Sequence, residues 1–298
     1  MIGLYNLEPK YTNIALEKIR MYCEQQGEKV MNFLPMENGL YDKVYCSSIF
    51  TWTLKNYVTD DMICGGSGFD LETKLPPEIE YMKPKINVGF TTRGCIRKCP
   101  FCIVPVKEGN IRVVSDIYDF WDGHSKKIII LDNNILALPK HFFHIASQIQ
   151  KENLFIDFNQ GLDHRLLNNE IVNKLKSLRY KEYRFAFDDI SQESSVKKAI
   201  DILHNHEINW SMRYVLVGFN TAYDEDLSRL LMLKSHDQRV FVQRYNGITN
   251  PFYTELAGWA NQHQLFHKYT FEEFLKRRGT KKRINDFLRI RMDKPLSA

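Results

Sequence analysis

Three cysteines stand within eight positions of the run TTRGCIRKCPFCIVP: Cys95, Cys99 and Cys102. Three thiolates on one short loop suit three irons of a four-iron, four-sulfur (4Fe-4S) cluster, whereas clusters of the ferredoxin kind recruit a fourth cysteine. No cysteine follows Cys102, and Cys23, Cys46 and Cys64 lie upstream in what reads as a separate segment. The spacing therefore predicts a 4Fe-4S cluster with one iron left open to a small molecule. Zinc would want four N or S ligands, and the nearest following histidine is His124. Arg93, Arg97 and Lys98 crowd the loop, which makes it a poor core but favours thiolates and anionic groups. The chain opens MIGLYNLEPK with no apolar signal stretch, which points to a reducing, cytoplasmic setting and away from a disulfide.

The C-x-x-x-C-x-x-C spacing, with the aromatic Phe101 just before the last cysteine, resembles the signature of the radical S-adenosylmethionine superfamily. The resemblance implies an oxygen-sensitive enzyme in which S-adenosylmethionine chelates the open iron. An electron from the cluster then cleaves the sulfonium, and the resulting 5'-deoxyadenosyl radical abstracts hydrogen from a substrate. It implies further that Phe101 lies beside the adenine and that an external donor of the flavodoxin or ferredoxin type supplies the electron.

The elements that must position this loop are legible as a repeat. Apolar, β-rich runs begin at Ile86, Ile128, Phe155, Tyr183, Met212 and Val240, and from the second onward their starts are 27, 28, 29 and 28 residues apart. That period accommodates one strand, one helix and two short loops, the unit of a parallel α/β barrel. Between the runs lie HFFHIASQIQKEN, NEIVNKLKSLRYK, SSVKKAIDILHNHE and DEDLSRLLMLKSHD, whose apolar residues recur at helical spacing. Six units predict a partial (β/α)6 TIM-type barrel over residues 81–250, the core usual in the superfamily. The cysteine loop follows its first strand, at the C-terminal mouth where such barrels place their chemistry.

Strand parity selects further candidates. Asp157 and Asn159 share one face of the third strand, and Arg184 and Arg213 sit inside apolar fourth and fifth strands, where a guanidinium needs an anionic partner. Both arginines are read as facing inward. Either could be satisfied by an internal salt bridge to Asp157 or Asp188, or could hold the carboxylate of S-adenosylmethionine. The LDNN run after the second strand stands where the family has a short motif for the methionine amino group, so the resemblance assigns Asn133 and Asn134 to that role, with turn formation as the alternative. VGFNTAYDEDL resembles the family's glycine-containing strand end near the adenine, which singles out Gly218. Gln243, Tyr245 and Asn246 close the sixth strand on the expected substrate side, and no residue can be named as a catalytic acid, base or hydrogen donor.

Residues 1–80 read as a small Rossmann-like α/β domain, and GGSG followed by LPPEIE is similar to the end of the cobalamin-binding domain upstream of many radical S-adenosylmethionine barrels. The Asp-x-His-x-x-Gly cobalamin motif is missing, so a degenerate domain without that cofactor is expected. CPFCIVPVKEGNIR is also similar to the cluster region of methylthiotransferases, which act on transfer RNA or ribosomal protein and carry an auxiliary cluster on three N-terminal cysteines. Here Cys23 falls inside a predicted helix, which argues against equivalence, while Cys46 and Cys64 fall in strands that could approach each other.

Residues 251–298 form a helical, basic C-terminal extension, in which Thr270 and Glu273 have capping-box spacing and Gly279 is a stop. The extension is expected to cover the open barrel edge. His263 and His267, one helical turn apart, lack an evident carboxylate to complete a metal site. The net charge of +5 is concentrated here, because residues 276–294 alone carry +7 and could contact nucleic acid, although a solvated helix face has the same composition. With 44% hydrophobic and 26% charged residues and no apolar run long enough to span a bilayer, no membrane partner is expected. Two non-enzymatic readings compete: an iron-sulfur electron-transfer or sensing protein, and a zinc-bearing nucleic-acid module. Neither explains the six-unit repeat.

Overall fold

The computed structural model describes residues 1–279 and 284–290, in two compact units, Met1–Asp132 and Asn133–Ala298. Both are mixed α/β structures with parallel sheets. In the first, β1 (Ile2–Asn6), β2 (Val30–Asn32), β3 (Lys43–Ser47) and β4 (Ile63–Gly65) form a parallel sheet in the order β2-β1-β3-β4. Helix α1 (Ile14–Gln25) links the first two strands. Asn13 caps it by accepting from the Leu16 amide, and Gly27, at φ +78°, carries the chain out of it.

Alternation along β1 and β3 divides the apolar residues between two faces. Ile2 and Leu4 pack with Leu16, Ile19 and Cys23 of α1, whereas Val44 and Cys46 pack with Phe33 and Met62 on the other side. The connection from β3 to β4 contains no helix, so this face has only loop and short-strand cover. It leaves Trp52, Leu54 and Tyr57 exposed.

The rest of this unit carries the cysteines. Helix α2 (Pro77–Glu80) leads to β5 (Val88–Gly89), β6 (Thr92–Arg93), α3 (Val104–Lys107), β7 (Arg112–Val113) and β8 (Lys127–Ile130). The single first strand expected over INVGFTT is broken in two. β5 runs parallel to β8, while β6 turns away to pair antiparallel with β7. A carboxylate two residues past β8, Asp132, binds the chain at this break.

In the second unit every predicted strand and helix is present. The strands are β9 (Phe155–Phe158), β10 (Arg179–Tyr180), β11 (Arg184–Ala186), β12 (Met212–Val217) and β13 (Arg239–Arg244). Between and after them come α4 (Pro139–Lys151), α5 (Asn169–Lys176), α6 (Glu193–Asn205), α7 (Tyr223–Ser235), α8 (Pro251–Ala260), α9 (His263–Lys268), α10 (Phe271–Arg277) and α11 (Ile284–Ile290). Strands β11, β12 and β13 are parallel neighbours in that order, β10 pairs parallel with β9, and a bridge joins Leu162 to Phe185.

One face of β12 supplies the core. Val215 and Val217 pack with Phe187, with Val196 and Ile200 of α6, with Leu230 and Leu233 of α7, and with Trp259, Phe266 and Phe271 of the C-terminal helices. Those helices also cover the free edge of β13. The Asn261 side chain accepts from the Val242 amide at 2.6 Å and donates to the Val242 carbonyl at 3.3 Å, standing in for a missing neighbouring strand. The Thr270/Glu273 capping box forms as expected, and Gly279 takes φ +71°. Of the basic stretch, residues 280–283 and 291–294 lie outside the described residues.

Candidate functional site

The cysteine loop is a closed excursion. Its stem is the β6/β7 pair, with Thr92 opposite Val113 and Arg93 opposite Arg112, and the Cys95 amide donates to the Gly109 carbonyl at 3.2 Å. Gly94 makes the closure possible: it adopts φ +84°, and a Cβ there would lie 2.3 Å from the Asn110 carbonyl oxygen. Within the loop the Cys102 amide donates to the Cys99 carbonyl at 3.0 Å, a turn that carries Phe101.

Two sulfurs receive backbone amides. Arg97 N lies 3.3 Å from Cys95 Sγ and Val104 N lies 3.5 Å from Cys102 Sγ. Amides directed at sulfur stabilise thiolate and are one of the levers that set cluster potentials. All three cysteines are half-buried, accessible to a metal cofactor yet sheltered. Among the described residues no three His, Cys, Asp or Glu side chains converge on a single ion centre. Three half-buried thiols, two of them facing backbone amides, are a donor set of the kind that holds iron in iron-sulfur clusters.

The loop hangs from a buried carboxylate that sequence reasoning missed. Asp132, two residues past β8 and 4% exposed, accepts four hydrogen bonds from fully buried Thr91 and Thr92. The Thr91 amide reaches Oδ1 at 2.6 Å, while Oδ2 takes the Thr91 hydroxyl at 2.6 Å and the Thr92 amide and hydroxyl at 2.9 Å. These bonds hold Thr91, between β5 and the stem, and Thr92, the first residue of the stem, at the point where the strand breaks. Burial pushes the Asp132 carboxyl up while the four donors pull it down, with burial ahead. The available signal was the Asp of LDNN matched with TT four residues before Cys95.

Another buried carboxylate occupies the ligand position of the small sheet. In open parallel sheets, ligands bind beyond the strand C-termini where the strand order reverses, here between β1 and β3. Glu8, 8% exposed, fills that place and accepts from the Ser48 hydroxyl (3.0 Å), the Ile49 amide (3.0 Å), the Phe50 amide (3.3 Å) and the Thr53 hydroxyl (2.6 Å). The donors available for an anionic cofactor there are already used by the chain itself. Cys46 and Cys64 are register partners on β3 and β4, and burial first, then the neighbouring thiol, pushes Cys46 up to about 12, where it stays protonated. Cys23 packs in the α1 core.

In the second unit the two candidate arginines separate, correcting the expectation that both face inward. Register places Arg184 beside Met212 and Arg239, on the face that also carries Tyr214 and Phe241. Arg184 forms an ion pair with Asp157, and Glu182 lies 3.9 Å from its Nε and 2.6 Å from Arg239. The Tyr214 hydroxyl donates to the Asn159 carbonyl on the same side. This is the internal salt bridge weighed above.

Arg213 instead aligns with Phe185 and Val240 on the helix-covered face. It is 0% exposed, its guanidinium carbon lies 4.6 Å from the Phe185 ring centre, and its nitrogens hydrogen-bond to no described residue. Burial pulls it down to about 9. It also helps burial hold neighbouring His164 at about 4, with His164 Nε2 3.0 Å from the Ser195 hydroxyl. Arg213 is therefore sealed from solvent in this conformation.

Asn134 is buried and donates to Asp163 at 3.1 Å, and Asn133 is half-buried. Gly218, at φ +81°, leaves β12 with a Cβ position only 3.0 Å from Ile248 and 3.1 Å from Tyr253, and its amide donates to buried Asp226. Asp226 pairs with fully buried Arg229, which also donates to the Phe187 and Leu216 carbonyls. Tyr245 stacks edge-on against Phe219, while Gln243 and Asn246 are exposed. His263 and His267 do acquire a carboxylate, because Asp237 lies 3.4 Å from His267 Nδ1, but His267 Nε2 is engaged at 3.2 Å by the Gln238 carbonyl.

No family profile matches the chain. Two tRNA-2-methylthio-N(6)-dimethylallyladenosine synthases are similar over part of it: that of Flavobacterium psychrophilum is 35% identical over 85 residues, and that of Flavobacterium johnsoniae 34% over 85. Each match covers 24% of this chain and 17% of the synthase, so the chain spans about a sixth of the relatives it matches. No helix among the described residues is long and apolar enough to cross a membrane.

Proposed function

We propose that this chain is a radical S-adenosylmethionine enzyme whose Cys95, Cys99 and Cys102 hold a 4Fe-4S cluster. The observation that carries the reading is the cysteine loop itself: three half-buried cysteines on a stem-closed excursion, with backbone amides directed at two of the sulfurs. When bound, the cluster supplies the electron that cleaves S-adenosylmethionine to the 5'-deoxyadenosyl radical. The chain's own part is to present three thiols on one closed loop with amides directed at two of them, and Asp132 fixes where the loop begins. On this reading Phe101 is the residue of the first unit assigned to the cofactor; of the second unit's candidates, Asn133, Asn134, Gly218 and the two arginines, Arg184, which faces the Tyr214 side of its sheet, is a better partner for a carboxylate than sealed Arg213. The electron comes from a flavodoxin- or ferredoxin-type donor.

The partial similarity to two tRNA-modifying synthases favours, as a second reading, methylthiotransferase-like modification of RNA. The N-terminal cysteines do not assist it, because Cys23 belongs to a helix core and Cys46 and Cys64 lie side by side in a sheet.

The test is anaerobic reconstitution with measurement of iron, sulfide and zinc, then addition of dithionite and S-adenosylmethionine and assay of 5'-deoxyadenosine. Alanine at Cys95, Cys99 or Cys102 is expected to abolish cleavage, and alanine at Cys23 to leave it intact. Zinc without iron would overturn the reading, and a cluster that never cleaves S-adenosylmethionine would favour an electron carrier. Comparing modified nucleosides in cells with and without the gene tests the RNA substrate.

A further inference from the structure

The sheet β1–β4 has a connection to the cysteine loop that none of the expected cofactor roles requires. Lys107, the last residue of α3 and five positions past Cys102, donates from its half-buried Nζ to the Ser67 hydroxyl at 2.6 Å. Ser67 belongs to the glycine-rich turn after β4, and that turn has little freedom. Gly66 adopts φ +97° with a Cβ position 2.4 Å from the Ser48 carbonyl oxygen, and Gly68 has one 2.3 Å from the Ser48 hydroxyl. The Gly68 amide donates to the Ser48 carbonyl at 2.9 Å. Ser48 is in turn held by Glu8, the carboxylate that fills the ligand position between β1 and β3.

A second link runs in parallel. Arg93, on the loop stem, lies 3.6 Å from Glu80 of α2 and 3.3 Å from Glu108 at the end of α3, with its guanidinium over the Phe90 ring. The Lys107–Ser67 and Arg93–Glu80 contacts join the sheet's turn and its following helix to the two ends of the segment that bears the cysteines, and Arg93–Glu108 ties those ends to each other.

We infer that the N-terminal sheet is a brace for the cysteine loop: Glu8, Ser48 and the Gly66–Gly68 turn form a fixed support on which Lys107, through Ser67, positions α3 and the cysteines before it. The domain thereby keeps a Rossmann-like frame while its ligand position serves an internal strut. Lys107 and Ser67 are positioning residues. A half-buried ammonium with a hydroxyl acceptor makes a stronger bond than a neutral pair, so its loss frees the loop rather than merely loosening a side chain. The iron part of the inference rests on the cluster reading above, and the loop-ordering part does not.

The test uses the full-length chain with Lys107→Met, Ser67→Ala and Lys107→Arg. Amide hydrogen exchange of the 94–111 segment is measured in metal-free protein, with peptides of α6 and α7 as controls, and iron per chain is measured after anaerobic reconstitution. Lys107→Met and Ser67→Ala should each raise exchange of the loop about tenfold, the equivalent of roughly 1.4 kcal/mol, and leave the controls unchanged. Both should lower iron retention, and Lys107→Arg should restore much of the protection. Ser67→Ala removes one hydroxyl and tests the same bond should the methionine variant not fold. Unchanged loop exchange in Ser67→Ala and in any folded Lys107→Met overturns the brace. Faster exchange in variants of a chain that binds no iron even as wild type supports the brace and defeats the cluster reading alone.

Discussion

Replacing Asp132 separates a geometric account of the cysteine loop from a merely compositional one. The carboxylate is sealed among four donors, of which one reaches Oδ1 and three reach Oδ2. Asparagine can place its carbonyl at the Oδ2 position and keep three of the four bonds, because the two threonine hydroxyls rotate. Its NH2 then faces the Thr91 amide, donor to donor, so the Thr91 N–H loses its acceptor and the NH2 depends on the rotating threonine hydroxyls for one. A buried orphan donor costs about 1–3 kcal/mol, so Asp132→Asn should destabilise the first unit by roughly 2 kcal/mol.

Alanine removes all four acceptors and opens a small void. Its threonine hydroxyls can find other partners, but the two amides cannot, which puts Asp132→Ala at about 4 kcal/mol or more. Urea unfolding followed by a probe in the first unit, with matched iron retention after reconstitution, should rank wild type above asparagine above alanine. The Thr91→Val/Asp132→Asn double mutant should show coupling, since both remove bonds of one network. Asparagine as damaging as alanine, or additivity in the cycle, would refute the argument that the acceptor count holds the loop.

Three further outcomes follow from the geometry. His164 is held at about 4 when folded, below its ordinary value, so the unfolded chain binds the extra proton: stability of the second unit should fall as pH drops from about 6.5 to 4, by roughly 3 kcal/mol at most, and His164→Gln should flatten that part of a urea-midpoint profile. Burial raises the Glu8 carboxyl but the bonds from Thr53, Ile49, Phe50 and Ser48 outweigh it, so its net shift is downward. Its contribution is present above the ordinary glutamate range and lost in acid, and Glu8→Gln should lower the first unit's midpoint at pH 7 while narrowing the gap to wild type near pH 3. Asn261→Ala should cost about 1–3 kcal/mol and increase light scattering on mild heating, because it uncovers the β13 edge, with Asn261→Asp retaining only the bond from the Val242 amide.

Much of the architecture was determined by local pattern. The 27- to 29-residue spacing of apolar runs corresponds to β8, β9, β11, β12 and β13, and the intervening helices fall where apolar residues recur at helical spacing. Asn13, Thr270 and Glu273 act as the caps their types and positions demand. Such features depend on neighbours in sequence, and backbone periodicity alone reveals them. The cysteine spacing is equally local, and it named the three residues of the candidate site without help from the fold.

What tertiary structure decided depends on residues far apart in the chain. Arg184 and Arg213 occupy similar apolar strands, yet strand register sends one to Asp157 and Tyr214 and the other into the helix-covered core. Asp132 and Glu8 each find their four donors about 40 residues away, so neither pairing is set by neighbours in sequence. Lys107 and Ser67 are likewise 40 residues apart. Burying a charge is tolerated only where several donors or a counter-ion converge, and convergence of that kind is a property of packed surfaces that composition and spacing do not encode.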